Sequence, residues 1–465
     1  MSGSVVRSRK TGRLGRRAGV VLALVLLLAG CDWTSYMNGV SSGFNLGETT
    51  ITPTNAAKLR LSWTATSGGP VFAQPVVASG LVYWGSFDGY ERATDTRGRL
   101  RWKTFVGTTT PPAGTCYPDS LGVVSTATYR DDVTIGASRS VVFVGGGDAH
   151  LYALDARTGA MLWTRSLGDS PSHFVFDSPA YANGSLYVGV SSYGDCPLVQ
   201  GQFFRIDART GRILATLDLT PDGCTGNGSW GSPAIDAPRR VAYFVTGNPG
   251  DCDQPEPLGQ AMIEVSLVDL HVIGKWVVPD GPQQVPDGDF GSTPNLFTTV
   301  VNHKLREMVG AVNKNGIYYA FDRTNVTAGP VWFARIATGG SAPDYGQGTV
   351  TPAAYDLVDG MLYAGGDAAV IDNVSCLGSI SAIDPTTGKF RWRDCLNDGF
   401  VIGAVSGAPG WVVVGEGTHL LVVRTSDGHV LFDYTGPAVF QSSATVANGV
   451  LYAGDVNGDL LAFTV

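Results

Sequence analysis

Short apolar runs bounded by glycine recur along the whole chain: GLVYWG at 80–85, VVFVG at 141–145, GSLYVG at 184–189, VAYFVTG at 241–247, MVGAV at 308–312, GMLYAG at 360–365, WVVVG at 411–415 and GVLYAG at 449–454. Runs of this length, alternating or wholly apolar and ended by turn formers, predict strands rather than helices. A second phrase follows several of them: YALDARTGAMLW at 152–163, FRIDARTGRIL at 204–214 and SAIDPTTGKFRW at 381–392, with weaker copies ending at Trp102, Trp276, Trp332 and Phe432. It reads as a strand, an Asp-initiated turn whose Gly takes positive φ, and a second strand carrying a large ring. Ser-Pro and Thr-Pro pairs at 178–179, 232–233, 293–294 and 351–352 mark a further short strand ahead of the glycine-bounded ones.

The unit is therefore four strands, A to D, and it occurs eight times. The last copy stops at LLAFTV (460–465), after its strand C, while LRLSW (59–63) stands alone near the start as a strand D without a blade. Joining the two closes a ring and leaves no long sheet edge open to pairing. The sequence thus predicts an all-β, eight-bladed β-propeller over residues 56–465, a single domain closed by its N-terminal strand. The recurring aromatics at the D strands are read as blade-on-blade packing, with no chemistry assigned.

Composition agrees: 62 Gly without a G-x-y period and only 15% charged residues exclude collagen, coiled coil and charged disorder. The first 31 residues stand apart. Six Lys and Arg between Arg7 and Arg17 precede an unbroken apolar run from Ala18 to Gly30, too short for a spanning helix. This is an export signal, and LAGC (28–31) resembles the lipobox of bacterial lipoproteins, which implies lipidation at Cys31. The expected location is the extracytoplasmic side of a bacterial membrane, held there by a lipid anchor. Residues 32–55, rich in Ser, Gly, Asn and Thr, are expected to be a flexible tether. Removing the signal takes six of 32 basic residues and none of 40 acidic ones, so the net charge moves from −8 to about −14. A nucleic-acid partner is excluded on that balance, and the acidic surface suits a monomer.

Six cysteines follow Cys31, an even number that favours disulfides in an exported chain. No C-x-x-C, C-x-x-C-H or H-x-x-x-H occurs, which argues against zinc ribbons, haem and a His-rich metal site. All six fall in B-to-C or D-to-A segments and so share one face of the ring. By analogy between blades 3 and 6, the expected pairs are Cys196–Cys224 and Cys376–Cys395, leaving Cys116 with Cys252.

The chemically informative stretches lie on that same face. They are WGSPAID (230–236) leading to TGN (246–248), DGDFGSTP (287–294), and NKNGIYYAFDRTN (313–325). In this order they resemble the pyrroloquinoline quinone (PQQ) dependent alcohol dehydrogenases, most closely the polyvinyl-alcohol dehydrogenase-like branch, over essentially residues 33–465. The resemblance implies an alcohol or polyol oxidoreductase using PQQ and calcium, acting on a small or polymeric alcohol and passing electrons to an external acceptor. Trp230 matches the indole beneath the quinone, Asn248 a calcium ligand, Asp289 the catalytic base beside the metal, and Lys314 the cation that polarises the quinone oxygens. Three departures stand out. The adjacent cysteine pair usual near the cofactor is missing, the glutamate calcium ligand is replaced within SSYGDC (191–196) by Asp195, and an arginine is replaced by Gln200. No haem domain is present in the sequence. Each of the four residues also has a plain structural use, as packing ring, turn residue, strand cap or hairpin tip. The competing reading is a non-catalytic lipoprotein propeller, like that of the outer-membrane β-barrel assembly machinery, which binds envelope protein partners as a scaffold.

Overall fold

The structure is a computed structural model, and it describes residues 31–281, 283–301 and 304–465. Eight antiparallel sheets each contribute four strands to a ring. Blade 1 shows the plan: strand A at Val76–Ala78, B at Leu81–Gly85, C at Tyr90–Asp95 and D at Leu100–Phe105. Strands A to C are largely buried and strand D alternates toward solvent, the pattern of a sheet whose inner strands are covered on both faces. Arg60–Thr66 pairs antiparallel with Asp459–Thr464 and completes blade 8, closing the ring where the sequence places the seam.

The repeated phrase explains how blades lock together. Asp155 Oδ1 accepts from the backbone N–H groups of Arg157 and Thr158 at 3.1 and 2.8 Å, and Gly159 follows at φ +73°. A Cβ at Gly159 would lie 2.6 Å from the Trp102 ring of the preceding blade. The bare glycine lets that indole lie flat on the turn, and Trp102 Nε1 donates to Ala156 O at 3.0 Å. Trp163 on Gly211 and Ala208, and Trp332 on Gly388 and Pro385, repeat the device. The D-strand tryptophans are packing rings, as the repeats predict.

The segment expected to be a tether is part of the fold. Trp33 and Phe44 are fully buried. Trp33 exchanges two 2.8 Å backbone hydrogen bonds with Val77 of blade 1, and Thr34 O accepts from Tyr129 N of blade 2. Ser42 Oγ donates to Leu296 O of blade 5, Tyr355 N of blade 6 donates to Ser42 O, and Asn45 binds Gly407 O of blade 7 and Val446 O of blade 8. Its polar composition reflects partners rather than disorder. The chain crosses the A-to-B face and closes that end of the central channel. Of the lipoprotein motif only Cys31 is described; residues 1–30 lie outside the described residues. The Cys31 thiol donates to Gly47 O at 2.9 Å.

The disulfides correct the expected pairing in two of three cases. Cys376–Cys395 forms within blade 6, but the others are Cys116–Cys196 and Cys224–Cys252. Blade 6 carries an inserted hairpin, Ala369–Ile371 with Val374–Cys376, that returns Cys376 to its own strand D. Blade 3 has no such hairpin, so Cys196 meets the blade 1-to-2 connection and Cys224 meets the B-to-C loop of blade 4. All three bonds lie on one face, as the connection types require.

Candidate functional site

The face opposite the N-terminal segment opens into a cavity of about 980 Å³, lined among others by Asp195, Trp230, Asn248, Asp289 and Lys314. Blade geometry brings them together. Trp230 precedes strand A of blade 4 (Ala234–Asp236) and Asn248 follows its strand B (Val241–Val245). Asp289 precedes strand A of blade 5 (Asn295–Val301), and Lys314 tips the turn after its strand B (Lys304–Asn313). Ends of A and B strands from neighbouring blades meet at the channel mouth, so residues far apart in sequence become adjacent.

Lys314 is not the solvated tip of a hairpin: it is 8% exposed. Its turn is fastened by two buried asparagines. Asn313 Nδ2 donates to Gly288 O at 2.8 Å, and Asn315 Nδ2 donates to Tyr319 Oη at 2.8 Å. The ammonium pairs with Asp289 Oδ1 at 2.7 Å and Asp287 Oδ2 at 2.9 Å, and stands 5.2 Å over the Trp230 ring. Trp230 Nε1 donates to Asp289 Oδ2 at 3.1 Å. Burial raises the Asp289 carboxyl, against the pull of Lys314 and with a further push from Asp287, and the balance leaves it at about 6. Burial disfavours the Lys314 ammonium, but Asp289 and Asp287 outweigh it and hold its pKa above the usual lysine value. Gly291 explains the indole's position, since a Cβ there would fall 2.1 Å from the Trp230 ring. The ring edge therefore rests against bare backbone, held by its hydrogen bond to Asp289.

Asn248 is bound on both sides of its amide: Nδ2 donates to Asp287, and Oδ1 accepts from Gln260 Nε2 at 2.7 Å. Asp195, at φ +57°, stands on the exposed rim within the field of Lys314 and Asp287. Gln200 lies off the site, with Nε2 donating to Thr220 O at 3.2 Å. Asp287 and Gln260 are the members to which sequence reasoning assigned no role. Asp287 had a signal, a second carboxylate two residues before Asp289, whereas Gln260 had none.

The donor set suits the two groups the resemblance implies to different degrees. A flat indole at a cavity wall, a cation beside it and a buried carboxylate fit a planar, carboxylate-bearing quinone. For calcium, Asn248, Asp289 and Asp195 are oxygen donors of the right type. Among the described residues, however, no three His, Cys, Asp or Glu side chains converge as a metal-holding group, and the Lys314 ammonium, paired with both Asp287 and Asp289, offsets one of their two charges.

At its lower end the cavity meets Tyr36. A second, smaller cavity of about 230 Å³ lies beyond the N-terminal segment, and the two share Tyr36, Ser178, Ser232 and Thr293. Burial raises the Tyr36 phenol to about 12, although Ser443 and Thr293 beside it act in the opposite sense. The segment thus partitions the channel and leaves the upper cavity opening on one face.

The fold is that of the quinoprotein alcohol dehydrogenase-like eight-bladed propellers. A family model described as outer membrane protein assembly factor BamB, of the PQQ-repeat type, matches residues 127–251 and 377–465. A polyvinylalcohol dehydrogenase of Pseudomonas sp is 22% identical over 93% of this chain and 77% of its own length. In fold, a europium-containing methanol dehydrogenase superimposes with a TM-score of 0.74 at 16% identity, covering 96% of this chain and all of its own. The quinohemoprotein alcohol dehydrogenase from Comamonas testosteroni gives 0.71 at 18% identity, over 94% of this chain and 82% of its own. In sequence and fold the chain is similar to the PQQ-dependent alcohol dehydrogenase-like propellers.

Proposed function

We propose that this protein is an exported, lipid-anchored dehydrogenase that uses PQQ to oxidise an alcohol or polyol and passes the electrons to an external acceptor. The carrying observation is the trio of half-buried Trp230 with buried Asp289 and Lys314, hydrogen-bonded and ion-paired to one another at a cavity wall. When bound, PQQ supplies the two-electron acceptor for the hydride that leaves the alcohol carbon. Trp230 offers the surface on which the quinone lies. Asp289, once its ion pair with Lys314 is loosened by substrate, takes the hydroxyl proton at a carboxylate oxygen. Lys314 places positive charge where negative charge gathers on the quinone oxygens. Asn248, Asp289 and, from the rim, Asp195 carry the oxygens calcium would use, and to bind there it would have to draw Asp289 away from Lys314. Cys31 would carry the lipid. The relatives named as alcohol dehydrogenases support this reading.

The family model named for an assembly factor favours a second reading, a scaffold for envelope proteins. A scaffold gains nothing from burying Lys314 between two carboxylates, because replacing a buried ion pair by apolar residues is commonly neutral or stabilising. The test is turnover of alcohols with an artificial electron acceptor in the presence of PQQ and calcium. Acceptor reduction that disappears in Asp289→Asn supports the dehydrogenase; none in the native chain with any alcohol favours the scaffold.

A further inference from the structure

Because the N-terminal segment closes the lower end of the cavity, its ligands pass through the mouth on the opposite face. Two connections stand over that mouth. Residues 106–127 link strand D of blade 1 to strand A of blade 2, and residues 336–353 link strand D of blade 5 to strand A of blade 6. In a ring of eight, blades 2 and 6 are diametrically opposed, so the two connections approach from opposite walls.

Each carries a tyrosine at its tip, Tyr117 and Tyr345. They are 69% and 72% exposed, and both line the cavity. Both side chains therefore reach the one cavity, from opposite walls. Two exposed rings rooted on opposite walls of one cavity narrow its opening.

Both arms are braced, and each is braced to the site. Beside Tyr117, Cys116 is bonded to Cys196, the neighbour of Asp195, and Tyr193 Oη donates to Pro118 O at 2.6 Å. The opposite arm is a single 3-10 turn, Pro343–Tyr345, closed by Ala342 N donating to Gln347 O at 2.6 Å. Its base is fixed by Gly340 N, which donates to Lys314 O at 3.0 Å. The two arms therefore hold a set distance from the carboxylate and the ammonium below them.

We infer that Tyr117 and Tyr345 form an aromatic bridge across the mouth that sets specificity, admitting slender unbranched alcohols to Asp289 and excluding wide or branched ones. This inference rests on the alcohol-oxidising reading for its substrate, and on the geometry alone for the bridge.

Two arms of one experiment separate the two. In the first, the full chain is treated with a photo-oxidant that couples neighbouring phenols, and cross-linked peptides are mapped, with Tyr117→Phe as the control. A Tyr117–Tyr345 dityrosine is expected, together with reduced quenching by acrylamide of the fluorescence that is lost in Trp230→Phe. Absence of that cross-link, or a cross-link that leaves acrylamide access to Trp230 unchanged, overturns the bridge. In the second arm, kcat/KM is compared for a linear and a branched alcohol. The Tyr117→Ala, Tyr345→Ala double variant is expected to raise the branched-to-linear ratio by about tenfold, the scale of one pocket contact, while the double Phe variant keeps the native ratio. An unchanged ratio overturns the specificity role. If the native chain oxidises no alcohol, the proposed function falls, and the cross-linking and quenching still decide the bridge.

Discussion

Replacing Trp33 by alanine tests whether the N-terminal segment is structure or tether. Trp33 is fully buried in the cluster that joins blades 1, 7 and 8, against Val77, Trp411 and Val446. Its indole N–H has no hydrogen-bond partner in that environment, so the side chain contributes through packing alone. Truncating a buried tryptophan to alanine costs about 3–5 kcal/mol through lost transfer energy and the cavity left behind. Unfolding entropy of about 2.1 cal/mol/K per residue, over roughly 430 folded residues, gives about 0.9 kcal/mol/K. The expected loss in Tm is therefore about 3–5 °C. Trp33→Phe should lose much less, because it keeps most of the packing and removes the orphaned donor. The assay is equilibrium denaturation in guanidinium, with the midpoint falling at an unchanged slope. A shift in Trp33→Ala no greater than that of an exposed substitution, about 0.5 kcal/mol, would mean that residues 32–45 do not pack on the ring and that the cavity floor is open.

Asp289→Asn keeps the side-chain volume but removes the proton acceptor, and should lower turnover by about 10²–10⁴-fold while leaving quinone binding largely intact, as read by fluorescence. Glu91 is fully buried with neither carboxylate oxygen partnered, and burial pushes it to about 8 despite the nearby Arg92. The folded state thus holds a proton that the unfolded chain releases above about 4.5, so stability falls as pH rises through that window. Glu91→Gln should remove that fall, and a variant-minus-native Tm difference that is the same at pH 5 and pH 9 would refute this. Non-reducing peptide maps should show Cys116–Cys196, Cys224–Cys252 and Cys376–Cys395, and no Cys196–Cys224 peptide.

The ring was legible because each blade repeats one local solution, such as the turn at Asp155 to Gly159 and the tryptophan laid on it, and local solutions leave a periodic trace. Closure was legible for the same reason, as a strand missing at one end and surplus at the other. The role of residues 32–55 was not. Asn45 and Ser42 look like linker residues until their partners, Val446 and Leu296, are known, and those partners lie hundreds of positions away. The disulfides failed similarly, because Cys196 is paired by loop paths between blades and not by its place within one. Trp230, Asn248, Asp289 and Lys314 were picked out by resemblance and by a shared face, and the structure brings them to one cavity. That Lys314 is clamped by Asp287 as well as Asp289, and that Gln260 holds the Asn248 amide, depends on side-chain geometry that no spacing encodes.

Whether Trp230, Asp289 and Lys314 make a quinone site is tested most directly by titrating the purified full chain with PQQ, with and without calcium, while tryptophan fluorescence is followed. Saturable quenching that requires calcium is the expected result. Lys314→Ala should weaken it at least about tenfold, since a lost charge-assisted hydrogen bond is worth roughly 1.5–3 kcal/mol. No quenching under either condition, or quenching indifferent to Lys314, would contradict a quinone bound on Trp230.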